Sequence, residues 1–333
     1  MTESTDQEVK LDKIEGTTRI QSAWSGDSST QGQALAAGSV VYEQIYRPWD
    51  GDLGGRWIRN FSIWRHHVYG IFIGGHKPWS MIMRLGTLLL FLGAMYDLLI
   101  VFIASIMGGD ETLLEAVSIK RSTLFNQVLG YFPRNAICFP LIAAMLAGGL
   151  ISEDRRHGMS AVYFSRPISR IDYAAMKYLS MASVLGAVVL ITLTTFYLGS
   201  IAMTGEGWNF LLDTFPLYFF AMVAGTMLVI TYTSIGMALS SLSRGRFLPG
   251  VSFIALLIGT RILAGIIESV FERTILYVLS PFDVVAHLGQ VMMGIPSKYD
   301  HSWTLSLVSM VLMNAISLYV LAVRITSMEV TRE

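Results

Sequence analysis

Charged residues are scarce in this chain. Only 14% of its 333 residues are Asp, Glu, Lys or Arg, whereas 53% are hydrophobic and the mean hydropathy is +0.53. This composition excludes an ordinary water-soluble domain and is typical of a protein whose helices are solvated by lipid. The 24 basic residues equal the 24 acidic ones, so no overall basic excess indicates a nucleic-acid partner.

Cysteine is nearly absent, and nucleotide-binding motifs are missing. The single cysteine, Cys138, excludes an internal disulfide framework and a Cys-rich metal site, and no metal site is predicted. The sequence lacks Gly-x-x-x-x-Gly-Lys-Ser/Thr, the loop that cradles nucleotide phosphates. We therefore predict that the chain is not an enzyme, does not hydrolyse ATP and carries no cofactor of its own.

Long apolar stretches dominate the chain instead. A transmembrane helix needs about 20 mostly apolar residues to cross the hydrocarbon core, and six stretches are long enough. We predict an all-α membrane protein in which residues 80–325 form a six-helix transmembrane domain. The predicted spans are residues 81–107, 135–152, 178–204, 214–240, 248–267 and 303–324.

The two ends of the chain differ from this domain. Residues 1–41 are rich in Ser, Thr, Gly, Gln and Asp and have no hydrophobic period, which predicts a disordered tail. The first apolar run begins near residue 81, too late for a secretory signal peptide. Of the basic residues near predicted helix ends, 14 lie on the side of the two termini and five on the other. Because Lys and Arg are retained in the cytoplasm, both termini, including the tail at residues 326–333, are predicted to be cytoplasmic, in the inner membrane.

A connecting segment at residues 42–79 precedes the first span. Within it, Phe61, Trp64, Val68 and Ile71 are spaced by three or four residues, which places them on one helical face. This pattern predicts a helix lying in the membrane interface. The alternative is a short cytoplasmic helix packed on protein. The adjacent His66 and His67 point in different directions on a helix, so we expect them to face solvent or lipid headgroups rather than to bind a metal.

The loop at residues 153–177, between the second and third predicted spans, is the most informative segment. Gly158 is suited to end the second helix, and Ser169 with Asp172 resembles a capping box that starts a new one. We predict a short amphipathic helix exposed to the cytoplasm, of the kind that anchors a soluble partner. The alternative is a capped turn whose basic residues only set the orientation. Its apolar patch contains Met159, Val162, Tyr163 and Phe164.

At this loop the sequence resembles the membrane permease subunits of ABC-2 type ATP-binding cassette transporters. The resemblance depends on Ile151, Glu153, Asp154 and Gly158, on the block Ser165-Arg166-Pro167-Ile168-Ser169-Arg170, and on Tyr173 and Lys177. Two further stretches support it, Tyr46-Arg47-Pro48-Trp49-Asp50-Gly51 and Ser280-Pro281-Phe282-Asp283. The similar layout covers about residues 42–325.

The resemblance implies an exporter permease with an N-terminal connecting helix, paired as a homodimer in the lipid membrane. Two copies of a separate ATPase subunit would bind ATP and Mg and would dock on the loop at residues 153–177. The turn from Gly158 to Ser165 would be the coupling helix. The implied ATPase-coupling residues are Glu153, Asp154, Gly158, Met159, Val162, Tyr163, Phe164, Ser165 and Arg166. The alternative function is a membrane scaffold that anchors a larger complex without transport.

Two charges fall inside predicted spans. Asp97 lies 13 residues beyond Arg84, and Arg261 lies 13 beyond Leu248, which gives them a similar depth. A charge at the bilayer centre costs roughly 2.5–3.5 kcal/mol on insertion scales and needs a partner or a water-filled cavity. We predict that Asp97 and Arg261 form a pair, either as a static structural contact or as part of a gate.

The last loop, at residues 268–303, is too apolar for a solvated linker. It contains Phe271, Tyr277, Val278, Leu279 and Phe282 together with two prolines. We predict short helices that lie in the outer interface or cap the external mouth, because irregular backbone exposed to lipid at depth is not tolerated. The resemblance implies an external gate here.

Overall fold

The computed structural model describes residues 55–72, 78–107, 119–130, 137–159, 163, 168–204 and 207–327. Over these residues the chain forms ten α-helices and one 3-10 helix and contains no strand, which confirms the all-α prediction. The helices are α1 (Arg56–Phe72), α2 (Pro78–Met107), α3 (Arg121–Leu129), α4 (Phe139–Gly148), α5 (Ile151–Arg156), α6 (Arg170–Thr204), α7 (Gly207–Leu242), α8 (Leu248–Phe271), the 3-10 helix (Ile275–Leu279), α9 (Pro281–Met293) and α10 (Trp303–Ser327). The predicted tail at residues 1–41 lies outside the described residues.

Five of the described helices, α2, α6, α7, α8 and α10, are long and apolar enough to cross a membrane. They correspond to the first, third, fourth, fifth and sixth predicted spans. In α2, α8 and α10 much of the apolar surface is exposed, as at Leu88, Ile262 and Ile316, which are 50%, 57% and 62% accessible. Such surfaces are suited to contact with lipid tails, so the chain is a multi-pass membrane protein.

The second predicted span, residues 135–152, is interrupted in the structure and is not among the five membrane-length helices of the described residues. Helix α4 has only ten residues, or about 15 Å of rise, and ends at the glycine pair 148–149. A Cβ atom on Gly148 would collide with the backbone carbonyl of Arg246, so the close approach of two chain segments requires glycine there. Glycine has low helix propensity, and the chain resumes as the short helix α5 after a break at Leu150. A sixth crossing remains a prediction.

Helix α6 begins at Arg170, eight residues before the predicted start of the third span. The Ser169 side chain accepts a hydrogen bond from the backbone N–H of Asp172 at 3.0 Å, as a helix N-cap should. The predicted cap is therefore confirmed, but it does not start a separate short helix. It starts the 35-residue helix α6 itself.

Helix α7 occupies the centre of the bundle and packs against α3, α4, α6, α8, α9 and α10. Small residues bring these helices close together. A Cβ atom on Gly225 of α7 would lie 2.6 Å from the Val189 side chain of α6 and 3.0 Å from Val128 of α3. The core of the described chain is therefore built around α6 and α7.

Helix α1 packs along α6 with most of the predicted face. Val68 and Ile71 pack against the core, and Trp64 is half-buried. Asn60 and Ile63 belong to the same buried side, at 5% and 7% accessible, whereas Phe61 is 56% exposed and points outward. Trp57 and Ile58 add to this outward apolar surface, at 81% and 66% accessible.

Short helices occupy the last loop, as predicted. The 3-10 helix is followed by α9, whose N-cap Ser280 accepts a hydrogen bond from the Asp283 backbone N–H. Nearly every residue of α9 is buried against α7 and α10. We call residues 272–302 the outer cap, after the outer position that the sequence analysis predicts for this loop.

Candidate functional site: a coupling segment held by a buried lysine

The predicted ATPase-coupling residues begin on α5, which carries Glu153 and Asp154. The Ser240 hydroxyl of α7 accepts hydrogen bonds from the backbone N–H groups of Ile151 and Ser152, at 3.1 and 3.2 Å. The Arg155 guanidinium donates to the Ser241 carbonyl. These contacts satisfy orphan donors at the start of α5 and attach it to the end of α7.

The turn after α5 is formed by Gly158, which has a left-handed φ of +65° that suits glycine. Met159 follows and is 41% exposed. Tyr163 is half-buried, with its ring centroid 5.2 Å from that of Tyr173 on α6. Among the predicted coupling residues, Val162, Phe164, Ser165 and Arg166 lie outside the described residues.

We call residues 151–159 the coupling segment, after the role predicted for it, and a fully buried lysine holds this segment in place. The Lys177 ammonium group of α6 is 2.7 Å from the Asp154 carboxylate, and its side chain is 0% exposed. It also donates to the Leu150 carbonyl at 3.3 Å and contacts the His67 imidazole of α1. Three partners therefore surround a group with three N–H donors, which is what a buried ammonium group needs.

His67 is a neutral acceptor in this arrangement. Its Nδ1 lies 2.9 Å from the Ile63 carbonyl, which only accepts, so Nδ1 carries the proton and Nε2 accepts from Lys177. Burial lowers the pKa of His67 to about 4, and the charge of Lys177 acts in the same direction. The prediction that both histidines face solvent or headgroups is therefore wrong for His67, although His66 is exposed.

Two further contacts join α1 to α6. The Arg56 guanidinium donates to both oxygens of the Asp172 carboxylate, at 2.9 and 2.7 Å. The indole N–H of Trp64 donates to the Ser183 hydroxyl at 3.0 Å. Tyr173, one turn before Lys177, donates its hydroxyl to Asp154 at 2.7 Å. The segment around α5, the helix α1 and the start of α6 thus form one connected polar network.

A cleft of about 440 Å³ opens beside this network. Four predicted ATPase-coupling residues and the Lys177 partner His67 line it, namely Glu153, Asp154, Met159, Tyr163 and His67. Arg246, between α7 and α8, borders it and lies 3.6 Å from the Glu153 carboxylate. The predicted ATPase-coupling residues that the structure describes therefore lie together beside one cavity.

The sequence analysis gave Lys177, Tyr173 and Arg56 no role in this network. Lys177 was detectable as a basic residue eight positions inside α6, four positions after Tyr173 and thus on the same helical face. Its partner on α1 was not detectable, because 110 residues separate His67 from Lys177.

The two intramembrane charges have different partners in the structure, which corrects the predicted pair. The Asp97 carboxylate accepts a hydrogen bond from the Gln127 side-chain amide of α3 at 2.6 Å. The Arg261 Nε lies 4.0 Å from the Asp283 carboxylate of α9. Equal depth along two helices does not bring side chains together, because each helix also has to be turned toward the other.

The described chain is thus a bundle that contains five membrane-length helices, with the short helix α5 attached to α6 and α7 by polar contacts. Comparison with protein families identifies the family to which the chain belongs. The family model described as ABC-2 family transporter protein matches residues 16–325, which is most of the chain. The chain therefore belongs to the ABC-2 family of transporter proteins, as the sequence resemblance indicated. A search of curated proteins gives no match.

Proposed function

We propose that this chain is the membrane-spanning permease subunit of an exporter in the inner membrane. A separate ATPase subunit, present in two copies with bound ATP and Mg, docks on the loop at residues 153–177. Two copies of the permease form a homodimer, both termini are cytoplasmic, and the sixth crossing lies within residues 135–152. Family membership supports the transport role, because ABC-2 permeases generally work with an ATPase subunit.

The observation that carries this proposal is the fixation of the α5 segment by Lys177. Force from a docked ATPase can move membrane helices only if the docking segment is connected to them. Asp154 binds Lys177 of α6, Ser240 of α7 holds the start of α5, and His67 brings in α1. A push on Met159 or Tyr163 is therefore transmitted to α1, α6 and α7 through short polar contacts.

The docking site is tested by purifying the full-length chain from its native membrane in mild detergent. We expect an ATPase subunit to co-purify, with a Mg-dependent hydrolysis rate that belongs to the complex. Met159→Ala should reduce the amount of bound ATPase, or uncouple its hydrolysis from the permease, because it removes an exposed apolar contact from the docking turn.

Met81→Ala is the matched control, since Met81 is also exposed, at 59%, but lies at the start of the first span on α2. This variant should retain the ATPase at the wild-type level. Equal ATPase retention by the two variants would remove Met159 from the docking surface. Purification without any ATPase would instead favour the scaffold function.

A further inference from the structure

Three arginines from different parts of the chain lie close together at the end of the bundle that carries the coupling segment. Arg155 is on α5, Arg244 follows the end of α7, and Arg324 is in the last turn of α10. The Arg155 guanidinium donates to the carbonyl of Ser241, three residues before Arg244. Arg324 is fixed at the same end, because α10 packs along α7 and the adjacent Ile325 is buried. We call these three residues the arginine cluster.

No carboxylate among the described residues forms an ion pair with the arginine cluster, and neither Arg244 nor Arg324 has a side-chain hydrogen bond there. Burial lowers the pKa of the Arg155 guanidinium, and the charges of Arg244 and Arg324 act in the same direction. By contrast, Lys177 and Arg56 at the same end of the bundle each have a carboxylate at 2.7 Å. Because like charges repel at short range, the cluster favours an anion among its three guanidinium groups.

The lipid-facing surface of the bundle ends at the arginine cluster. Leu242, the last residue of α7, is exposed, and so is Leu248, the first residue of α8. On α10, the exposed Val323 directly precedes Arg324. Exposed apolar side chains of membrane-length helices contact lipid tails, and basic residues at the ends of such helices lie at the depth of the headgroups. The anion nearest to the cluster is therefore a lipid phosphate.

A phosphate diester without a cation of its own fits the arginine cluster. The guanidinium group is planar and has paired N–H donors that match two phosphate oxygens. The headgroup of phosphatidylcholine would place a quaternary ammonium beside the arginines, whereas the headgroup of phosphatidylglycerol adds only hydroxyl groups. Charge repulsion within the cluster therefore favours an anionic phospholipid over a zwitterionic one.

We infer that the arginine cluster binds an anionic phospholipid, with the headgroup phosphate among Arg155, Arg244 and Arg324 and the acyl chains on the exposed apolar surface beside it. A lipid bound there joins α10 to α5, so it adds a further attachment to the coupling segment. This second step rests on the proposed function, because it concerns force from a docked ATPase. Lipid binding itself does not depend on an ATPase and is tested on the chain alone.

Lipid preference is measured on the purified full-length chain in a neutral detergent. The probe is phosphatidylglycerol with a fluorophore on one acyl chain, and phosphatidylcholine with the same label is the matched control ligand. Fluorescence anisotropy should show about tenfold tighter binding of phosphatidylglycerol, because each arginine near an acidic headgroup adds to the affinity. Inorganic phosphate should displace the lipid only weakly, since it lacks acyl chains. Equally tight binding of inorganic phosphate would overturn the assignment to a lipid.

Arg244→Gln and Arg324→Gln test the cluster directly. Each should weaken binding of phosphatidylglycerol several-fold and leave binding of phosphatidylcholine unchanged. Both residues are exposed and have no ion pair among the described residues, so the unfolding midpoint should stay close to that of the wild type. Arg65→Gln is the matched control, because Arg65 is an exposed arginine of α1 and its loss removes the same charge. This variant should change the binding of neither lipid.

Equal binding of the two lipids would overturn the inference. So would equal effects of the Arg65 and Arg244 variants, which would indicate a general attraction of acidic lipid to a basic surface. A preference for phosphatidylglycerol that appears only when Glu329→Gln and Glu333→Gln are combined would show that acidic residues near the C-terminus, rather than a lipid, occupy the cluster.

The coupling role is tested on the complex with the ATPase in lipid vesicles. Hydrolysis should be faster in vesicles that contain phosphatidylglycerol than in vesicles of phosphatidylcholine alone, and combining Arg244→Gln with Arg324→Gln should remove the difference. An unchanged difference would overturn the coupling role. If the double variant instead lost the ATPase and kept its lipid preference, the cluster would be a docking surface and the inference would be wrong. Failure of any ATPase to co-purify would count against the proposed function alone, because the lipid titration does not use the ATPase.

Discussion

Asp154 at the coupling segment and Asp283 in the outer cap are two acids in similar surroundings that are neutralised differently. Each accepts a hydrogen bond from a buried tyrosine hydroxyl, Tyr173 at 2.7 Å and Tyr299 at 2.8 Å. Asp154 also has the Lys177 ammonium at 2.7 Å, whereas the nearest described cation to Asp283 is the Arg261 guanidinium at 4.0 Å.

This difference bears on the proposed function. The Lys177 contact is short and completely shielded from solvent, so separating it leaves an uncompensated charge in the interior. The Arg261 contact is longer, at 4.0 Å, and its side chain is 38% exposed. A segment that docks an ATPase, as proposed, has to transmit force, which favours the short and shielded arrangement.

The largest effect is expected from Lys177→Met. Removing one member of a buried ion pair typically costs 3–5 kcal/mol, and this change also leaves the Leu150 carbonyl and His67 without their donor. We expect a strongly lowered thermal unfolding midpoint in detergent, or loss of monodisperse protein. Adding Asp154→Asn should recover part of the loss.

Lys298→Met is the control for this prediction, because Lys298 is an exposed lysine of the outer cap. It should leave the unfolding midpoint nearly unchanged. If the Lys177 and Lys298 variants were equally stable, Lys177 would not be a structural centre of the coupling segment.

A matched pair of Tyr→Phe substitutions compares the two acids directly. Tyr299→Phe should lower the free energy of unfolding by about 1–3 kcal/mol, since it removes a donor from a carboxylate that is 1% exposed. Tyr173→Phe should cost less, because Asp154 keeps its ion pair with Lys177. Denaturation curves of both variants, read by intrinsic fluorescence, provide the measurement. A greater loss from Tyr173→Phe would reverse the proposed contrast.

Acid should weaken both regions through their buried histidines. His67 titrates at about 4 in the folded protein and near 6.5 when unfolded, so its contribution to stability is complete above pH 6.5 and is lost as the pH falls from 6.5 to 4. Burial also lowers the pKa of His287 and His301 in the outer cap. Unfolding midpoints between pH 7.5 and 4.5 should therefore fall.

His67→Gln tests the share of the coupling segment in this pH dependence. Glutamine can still accept from Lys177 but does not titrate, so the variant should flatten the profile, and His287→Gln combined with His301→Gln should flatten the remainder. A profile unchanged by His67→Gln would mean that this histidine is protonated or exposed in the folded protein.

The smallest effect is expected from Arg56→Ala. Arg56 forms a bidentate pair with Asp172, but its side chain is 66% exposed, and exposed ion pairs contribute little to stability because water and salt screen them. We expect a small decrease in the unfolding midpoint that disappears in high salt. A decrease in the unfolding midpoint as large as that of Lys177→Met would show that the packing of α1 on α6 depends on this surface pair.

The sequence by itself predicted the elements that depend on local composition. Long apolar runs located α2, α6, α7, α8 and α10, because the number of residues needed to cross hydrocarbon is set by the rise of a helix. Ser169 predicted a helix start correctly, since capping involves residues only three positions apart. The family resemblance predicted a coupling role for Glu153 and Asp154 on α5, which stays a prediction, and the family itself was confirmed.

Only the tertiary structure decided which residues from distant parts of the chain are in contact. Gly148, at the end of α4, lies against the backbone of Arg246, a contact made by residues almost 100 positions apart. Asp97 and Arg261 were predicted to lie at the same depth, but in the structure Asp97 accepts from Gln127 and Arg261 lies near Asp283. His67 points inward and contacts Lys177. Helical periodicity specifies which residues share a face, but the direction of that face depends on how neighbouring helices pack, and no local pattern encodes it.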